Sequence, residues 1–193
     1  MRRCPRHRPH SPRRYPGRVN DALARAESLI DLTPDYPEPG VLFRDVSPLL
    51  ADADAIRAVS EALIEPFRGG FDIVGGIEAR GFLLAGYVAA ITGVGILPIR
   101  KAGKLPKPAA AVSYALEYGS ATIEAPGVLR PGERVLLLDD VLATGGTLAA
   151  AQQLITDLGA EVAGSAVVLE LADLGGRAHA GEVHTLFSAH ENG

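Results

Sequence analysis

Two adjacent carboxylates, Asp139 and Asp140, close the apolar run 134–138 and lead into Val141-Leu142-Ala143-Thr144-Gly145-Gly146-Thr147-Leu148. An apolar strand that ends in acids, passes through a small-residue turn and enters a helix places ligand-binding groups where open α/β sheets bind ligands, at the carboxyl ends of strands. Gly145 and Gly146 let the backbone approach a ligand closely. Free N–H groups at the helix start favour an anion, and Thr144 and Thr147 add hydroxyl donors. This turn, 143–147, predicts a cradle for a phosphate monoester. Acids beside a phosphate repel it, so Asp139 and Asp140 need another partner. Successive residues leaving a strand point to different sides, and a ribose 5-phosphate satisfies both demands, with its phosphate in the turn and its 2- and 3-hydroxyls donating to the two aspartates. The blander readings are an N-cap pair with an ordinary βα turn, or the acidic strand end of a nucleotide hydrolase. Neither G-x-x-x-x-G-K-[ST] nor G-x-G-x-x-G occurs in the chain.

A second set of candidates is basic. Arg80 follows an apolar strand-like run, and Arg100, Lys101 and Lys104 form the densest basic cluster outside the N-terminus, with Lys107 close by. Such groups can neutralise a polyphosphate; their plain alternatives are a surface ion pair and a solvated loop.

The elements that must position these residues follow from periodicity. A short helix is expected over 22–30, capped by Asn20 or Asp21. Pro34, Pro37 and Pro39 force an extended segment that ends at 40–45. Asp52 or Asp54 caps a helix whose stripe is Ile56, Val59, Leu63, Ile64 and Phe67, with Pro66 ending it. A buried strand over 71–75, a helix over 82–91 and a strand over 94–99 follow. Two strand-like runs, 111–116 and 120–125, flank Glu117-Tyr118-Gly119. After the strand 134–138 come a helix stopped by Gly159, a buried strand over 162–171 and an edge strand over 184–187. This alternation predicts an α/β fold with a mostly parallel sheet flanked by helices.

Composition sets the outer limits. The chain has 193 residues, 47% hydrophobic and 22% charged, with one Cys, one Met and no Trp. An internal disulfide framework is excluded, and the reading is cytoplasmic. Seven of the 19 basic residues are arginines within 1–18, a stretch with four prolines and no acid, so the remaining chain carries a net charge of −11. An acidic body argues against general nucleic-acid binding. Residues 1–18 read as a disordered extension, with an RNA- or membrane-surface arm as the alternative, and 19–193 as a single domain. The stretch 81–99 is free of formal charge and long enough to span a bilayer, but Gly86, Thr92, Gly93, Gly95 and Pro98 divide it into a buried helix and a buried strand. No membrane partner is expected.

The segment 135–148 resembles the 5-phosphoribosyl-1-pyrophosphate (PRPP) signature of the type I phosphoribosyltransferases. Four further blocks, 36–50, 76–82, 100–106 and 113–119, occur in that family's order and narrow the resemblance to its members that act on adenine. The resemblance spans about residues 20–190. It implies the type I fold with a small hood and a flexible lid loop, and the reaction adenine + PRPP → AMP + pyrophosphate, in purine salvage. It also implies Mg²⁺ carried by PRPP rather than by a protein ligand set, and a homodimer. It assigns the 5-phosphate to Ala143, Thr144, Gly145, Gly146 and Thr147, the ribose to Asp139 and Asp140, and the pyrophosphate to Arg80, Arg100, Lys101 and Lys104. Leu42, Phe43 and Arg44 take the adenine, with Phe43 stacking on the ring unless it is plain core packing, and 168–171 wall the other face. A non-proline cis peptide is implied near Glu78–Ala79. Glu117, in the lid, handles a proton on the adenine imidazole ring or stabilises positive charge at the anomeric carbon; its plain alternative is an exposed hairpin glutamate. Transfer to another purine (xanthine, guanine or hypoxanthine), or a non-catalytic PRPP-sensing regulator, are the competing readings.

Overall fold

The computed structural model describes residues 19–116 and 119–190. Among them, a seven-stranded sheet has the order β5-β6-β4-β3-β7-β8-β9. Its parallel part comprises β4 (Gly95–Lys101), β3 (Ile73–Ile77), β7 (Arg134–Leu142), β8 (Glu161–Leu171) and β9 (His184–Ala189). An antiparallel hairpin, β5 (Ala110–Leu116) and β6 (Gly119–Ala125), extends the sheet beside β4. A separate hairpin, β1 (Asp31–Pro34) and β2 (Leu42–Asp45), forms the hood. The prolines predict an extended segment there, and the backbone is extended in both strands; the pairing of the two strands is not part of that expectation. A tight connection containing a cis Tyr36–Pro37 bond and Asp35 at φ +56° folds the chain back on itself.

The helices are α1 (Val19–Glu27), α2 (Ser47–Ala51), α3 (Ala53–Ile64), α4 (Arg80–Thr92), α5 (Gly146–Asp157) and α6 (Arg177–Ala180). Asp52 caps α3 by accepting from the amides of Asp54 and Ala55, and the helix yields to a 3₁₀ turn at Pro66. The region 81–99 is indeed a 13-residue helix followed by a strand. No helix of the described residues is long and apolar enough to cross a membrane.

The apolar side chains of β7 alternate between two cores. Val135 and Leu137 face a core shared with Leu148, Ala151, Leu154 and Ile155 of α5. Leu136 and Leu138 face one shared with Val59 and Leu63 of α3 and Leu84 and Val88 of α4. All four β7 residues are fully buried, each stabilising the fold by roughly 1.5–3 kcal/mol relative to exposure. The connection leaving β3 therefore crosses to one face of the sheet, and the one leaving β7 to the other. Between those two strands the order reverses, and a crevice opens there at the carboxyl end of the sheet.

β7 also continues past its apolar run. Expected to stop at Leu138, it pairs with β8 through Asp139↔Val167, Val141↔Leu169 and Leu142↔Glu170. Its pairing with β3 ends at Gly76↔Leu138. From Asp139 onward one edge of β7 is anchored and the other faces the crevice.

Candidate functional site

Close approach at the crevice depends on glycine. A Cβ on Gly81, in the first turn of α4, would lie 2.6 Å from the Leu138 carbonyl oxygen. Glycine there lets α4 begin directly against the end of β7. A little upstream, the Glu78–Ala79 peptide is cis, as the resemblance implied. No side chain caps α4, and none caps α5, whose N-cap Gly145 is left-handed at φ +84°. Two helix starts thus direct their first amides toward one crevice, a field suited to anions.

The two aspartates differ. Burial, reinforced by the charge of Asp140, raises the Asp139 carboxyl well above the usual carboxylate range. Asp139 Oδ1 accepts from the Asp140 amide at 2.9 Å. Asp140 meets Arg80, whose Nη1 donates to Oδ2 at 3.1 Å. The Arg80 guanidinium also reaches Asp45 Oδ1 at 3.4 Å and lies 5.8 Å from the centre of the Phe43 ring. Asp45 is held below the ordinary carboxylate range by the Ser47 hydroxyl and amide, with Arg80 adding to the effect. Phe43 meets Tyr36 edge-on at 5.2 Å between centroids. Phe43 is only partly buried, and its hood hairpin faces the crevice rather than either core. The structure therefore brings Asp139, Asp140, Arg80 and Phe43 together. Leu42 and Arg44 lie on the same strand, Arg44 donating through Nη2 to the His190 carbonyl oxygen at 2.5 Å.

The basic cluster gathers on one acid. Glu78 accepts from the Lys101 amide at 3.0 Å, pairs with the Lys104 ammonium and lies 3.5 Å from Arg100 Nε. The Lys104 bond holds its carboxyl below the usual range despite burial. Glu124, opposite Arg100 on β6, is buried. Burial pushes its carboxyl up, but the amides of Leu105, Gly103 and Lys104 and the charge of Arg100 outweigh that and lower it. Glu78 and Glu124 together shape the 101–105 loop. The Lys101 side chain is exposed and, unlike Arg100 and Lys104, does not converge on Glu78.

The turn 143–147 lies beside β5: Thr147 Oγ1 donates to the Tyr114 hydroxyl at 3.0 Å. A cavity of about 400 Å³ extends between β5 and α5, bordered by Tyr114, Thr144, Gly146 and His179. Glu117 and Tyr118 lie outside the described residues, as do 1–18. Within 168–171, Val168 and Leu169 are buried, and the Glu170 carboxylate turns to Arg177 rather than to the crevice.

Sequence reasoning did not single out Asp45, Glu78, Glu124, Tyr114 or Arg177. A local signal exists for two. Asp45 precedes Ser47-Pro48, a helix-start pattern, and Glu124 is the one acid in an otherwise uncharged strand. For Glu78 and Tyr114 the partners are distant in sequence; those of Arg177 are near but follow no helix or strand period, so spacing carries no information about any of them.

Comparison with known proteins agrees with this geometry. The phosphoribosyl transferase domain family matches residues 47–186. An adenine phosphoribosyltransferase of Clavibacter sepedonicus is 54% identical over 191 residues, covering 97% of this chain and all of the relative. The crystal structure of adenine phosphoribosyltransferase from Rhodothermus marinus superimposes with a TM-score of 0.82 at 43% identity, over 88% of this chain and 99% of that one. The Saccharomyces cerevisiae enzyme, crystallised with an imino-altritol bisphosphate and adenine, gives a TM-score of 0.81 at 34% identity, over 86% and 99%. Fold, crevice and sequence together place this chain in the adenine phosphoribosyltransferase family.

Proposed function

We propose that this chain transfers the 5-phosphoribosyl group of PRPP to adenine, giving AMP and pyrophosphate, with the substrate lying along the crevice between β3 and β7. The observation that carries the reading is the juxtaposition of two uncapped helix starts, two adjacent carboxylates and Arg80 at the carboxyl end of the central strands. Amides of Thr144, Gly145, Gly146 and Thr147, with the threonine hydroxyls, hold the 5-phosphate, and Ala143 leads the chain into that turn. Asp139 and Asp140 hold the ribose hydroxyls. Arg80 leaves the Asp45–Asp140 pair to meet the pyrophosphate, joined by Arg100, Lys101 and Lys104.

Adenine rests on Phe43, between backbone groups near Leu42 and Arg44. Main-chain pairing suits a ring whose 6-amino group donates and whose N1 accepts. Glu117 serves either the imidazole proton or the charge at the anomeric carbon. The yeast relative, crystallised with adenine and a sugar bisphosphate analogue, supports a site that takes both at once.

Catalysis on this reading is electrostatic and positional. As the anomeric bond breaks, positive charge grows on the sugar and negative charge on the leaving group, and fixed donors stabilise the pair. No group of three or more His, Cys, Asp or Glu suited to a metal occurs among the described residues. A hard cation arriving on substrate oxygens and water fits a crevice whose two carboxylates already accept from Arg80 and from the Asp140 amide. When bound, Mg²⁺ offsets the charge of the pyrophosphate. The chain acts in the cytoplasm as a homodimer; the dimer is supported by exposed apolar side chains on α4 and β4, Leu83, Ile91 and Ile96 being 56%, 45% and 42% exposed.

The test is purified full-length protein with PRPP, Mg²⁺ and each purine in turn, following AMP and pyrophosphate. Adenine is the preferred acceptor by at least about a hundredfold, since a site paired to one base edge leaves polar groups unmatched by another. The double variant Asp139→Ala/Asp140→Ala loses turnover. Equal rates with hypoxanthine, or undiminished turnover in the double variant, would refute the assignment.

A further inference from the structure

Arg177 opens α6, away from the crevice, yet it makes more hydrogen bonds to other elements than the Arg80 guanidinium does. Its Nε and Nη2 donate to the two oxygens of Glu170, both at 2.7 Å. Nη1 donates to the Val183 carbonyl oxygen at 2.9 Å, and Nη2 also reaches Thr185 Oγ1 at 3.1 Å. The fork-to-fork pairing fixes direction as well as distance, unlike a single-point surface pair. One side chain thus joins the end of β8, the start of β9 and the first turn of α6.

The residue before it touches the cradle. A Cβ on Gly145 would overlap the Gly176 carbonyl oxygen, and a Cβ on Gly176 would overlap the carbonyl oxygen of Ala143 and lie 2.9 Å from the Leu142 side chain. The turn 143–147 therefore rests backbone against backbone on the turn 175–176, with no side chain between them to absorb a shift. Glu170 stands opposite Leu142 in the β7–β8 register. Arg177 is thus tied to the same strand pair that carries the cradle.

We propose that Arg177, braced by Glu170, is a positioning residue for the phosphate cradle: it holds the 175–176 turn under Gly145 and so fixes the direction of the amides that bind the 5-phosphate. This inference rests on the assignment of 143–147 to the phosphate. Loosening the support weakens every ligand that carries the 5-phosphate, PRPP and AMP alike, and leaves adenine recognition at the hood untouched.

The experiment uses the full chain carrying Arg177→Met, with Arg177→Lys, Glu170→Gln and Thr147→Ala as companions. AMP affinity is measured by calorimetry, and KM for PRPP and for adenine by steady-state kinetics. Arg177→Met weakens AMP and raises KM for PRPP about tenfold, while KM for adenine stays within about twofold. Arg177→Lys recovers part of the loss. Glu170→Gln, which preserves shape, shows the same split to a smaller degree and carries the test should Arg177→Met not fold. Thr147→Ala, in the cradle itself, weakens AMP directly. AMP affinity unchanged in Arg177→Met and Glu170→Gln but reduced in Thr147→Ala overturns the positioning role and spares the cradle. A parallel rise of both KM values overturns it as well. AMP affinity unchanged in all of them overturns the cradle assignment and this inference with it.

Discussion

Asp139 is held against its own interest. Burial, with the neighbouring charge of Asp140, raises its carboxyl, so the folded state binds this proton more tightly than the unfolded chain does. A group raised on folding contributes stability at low pH that is lost as pH climbs from the ordinary carboxylate value through the raised one. At neutral pH an ionised Asp139 therefore costs stability, a cost the proposed role at the ribose would explain. Asp139→Asn raises Tm at pH 7 by a few degrees, on the scale of about 2–4 °C per kcal/mol for a chain of this size. The gain over wild type shrinks as pH falls toward 4. The same variant lowers kcat/KM by roughly ten- to a hundredfold, the worth of one or two hydrogen bonds to a charged acceptor. Thermal melts from pH 4 to 8 with matched kinetics read both. A variant less stable than wild type at pH 7 contradicts the electrostatic account.

Helix α4 works on both faces. Leu84, Ala85, Val88 and Ala89 are buried against the sheet, and Leu83 and Ile91 turn outward. A helix apolar all round calls for cover on both sides, and in the proposed homodimer a second copy of the chain would cover the outer one. Leu83→Lys places a charge in that contact and shifts the sedimentation profile from dimer to monomer at micromolar concentration. A wild-type monomer, or a dimer indifferent to the change, contradicts the assignment of this face. Elements with a clean period were legible in the sequence: α3 with its Asp52 cap, the helix-then-strand split of 81–99, and α5 stopped by Gly159 at φ +76°. Some features set by pairing were not. β7 outran its apolar residues because β8 supplies hydrogen bonds on one edge whatever the side chains are. β1 and β2 pair across a connection whose prolines read only as extended backbone. α2, five residues long, has no period to detect. The site divides in the same way: the crevice residues of 139–147 follow one another in sequence and could be read there, whereas Glu78 and Glu124 gather the basic loop, and Arg177 its partners, through contacts that only the folded chain creates.

At the scale of the whole molecule, strand order decides where chemistry occurs. β3 and β7 send their helices to opposite faces, so the sheet separates at one place, and the uncapped starts of α4 and α5 face it together. An acidic body concentrates cations at that opening, Arg80 beside Asp140 and Arg100 with Lys104 around Glu78, where a polyphosphate can exchange one set of carboxylates for its own oxygens. On the proposed function, a nucleotide lies across the β3–β7 opening with its phosphate on the 143–147 amides. A crystal structure of the AMP complex tests it most directly. The account predicts phosphate oxygens within hydrogen-bond distance, about 2.7–3.2 Å, of amides in 144–147, ribose hydroxyls on Asp139 and Asp140, and the adenine ring against Phe43. AMP bound elsewhere, with the 143–147 turn making no contact to it, would contradict the account.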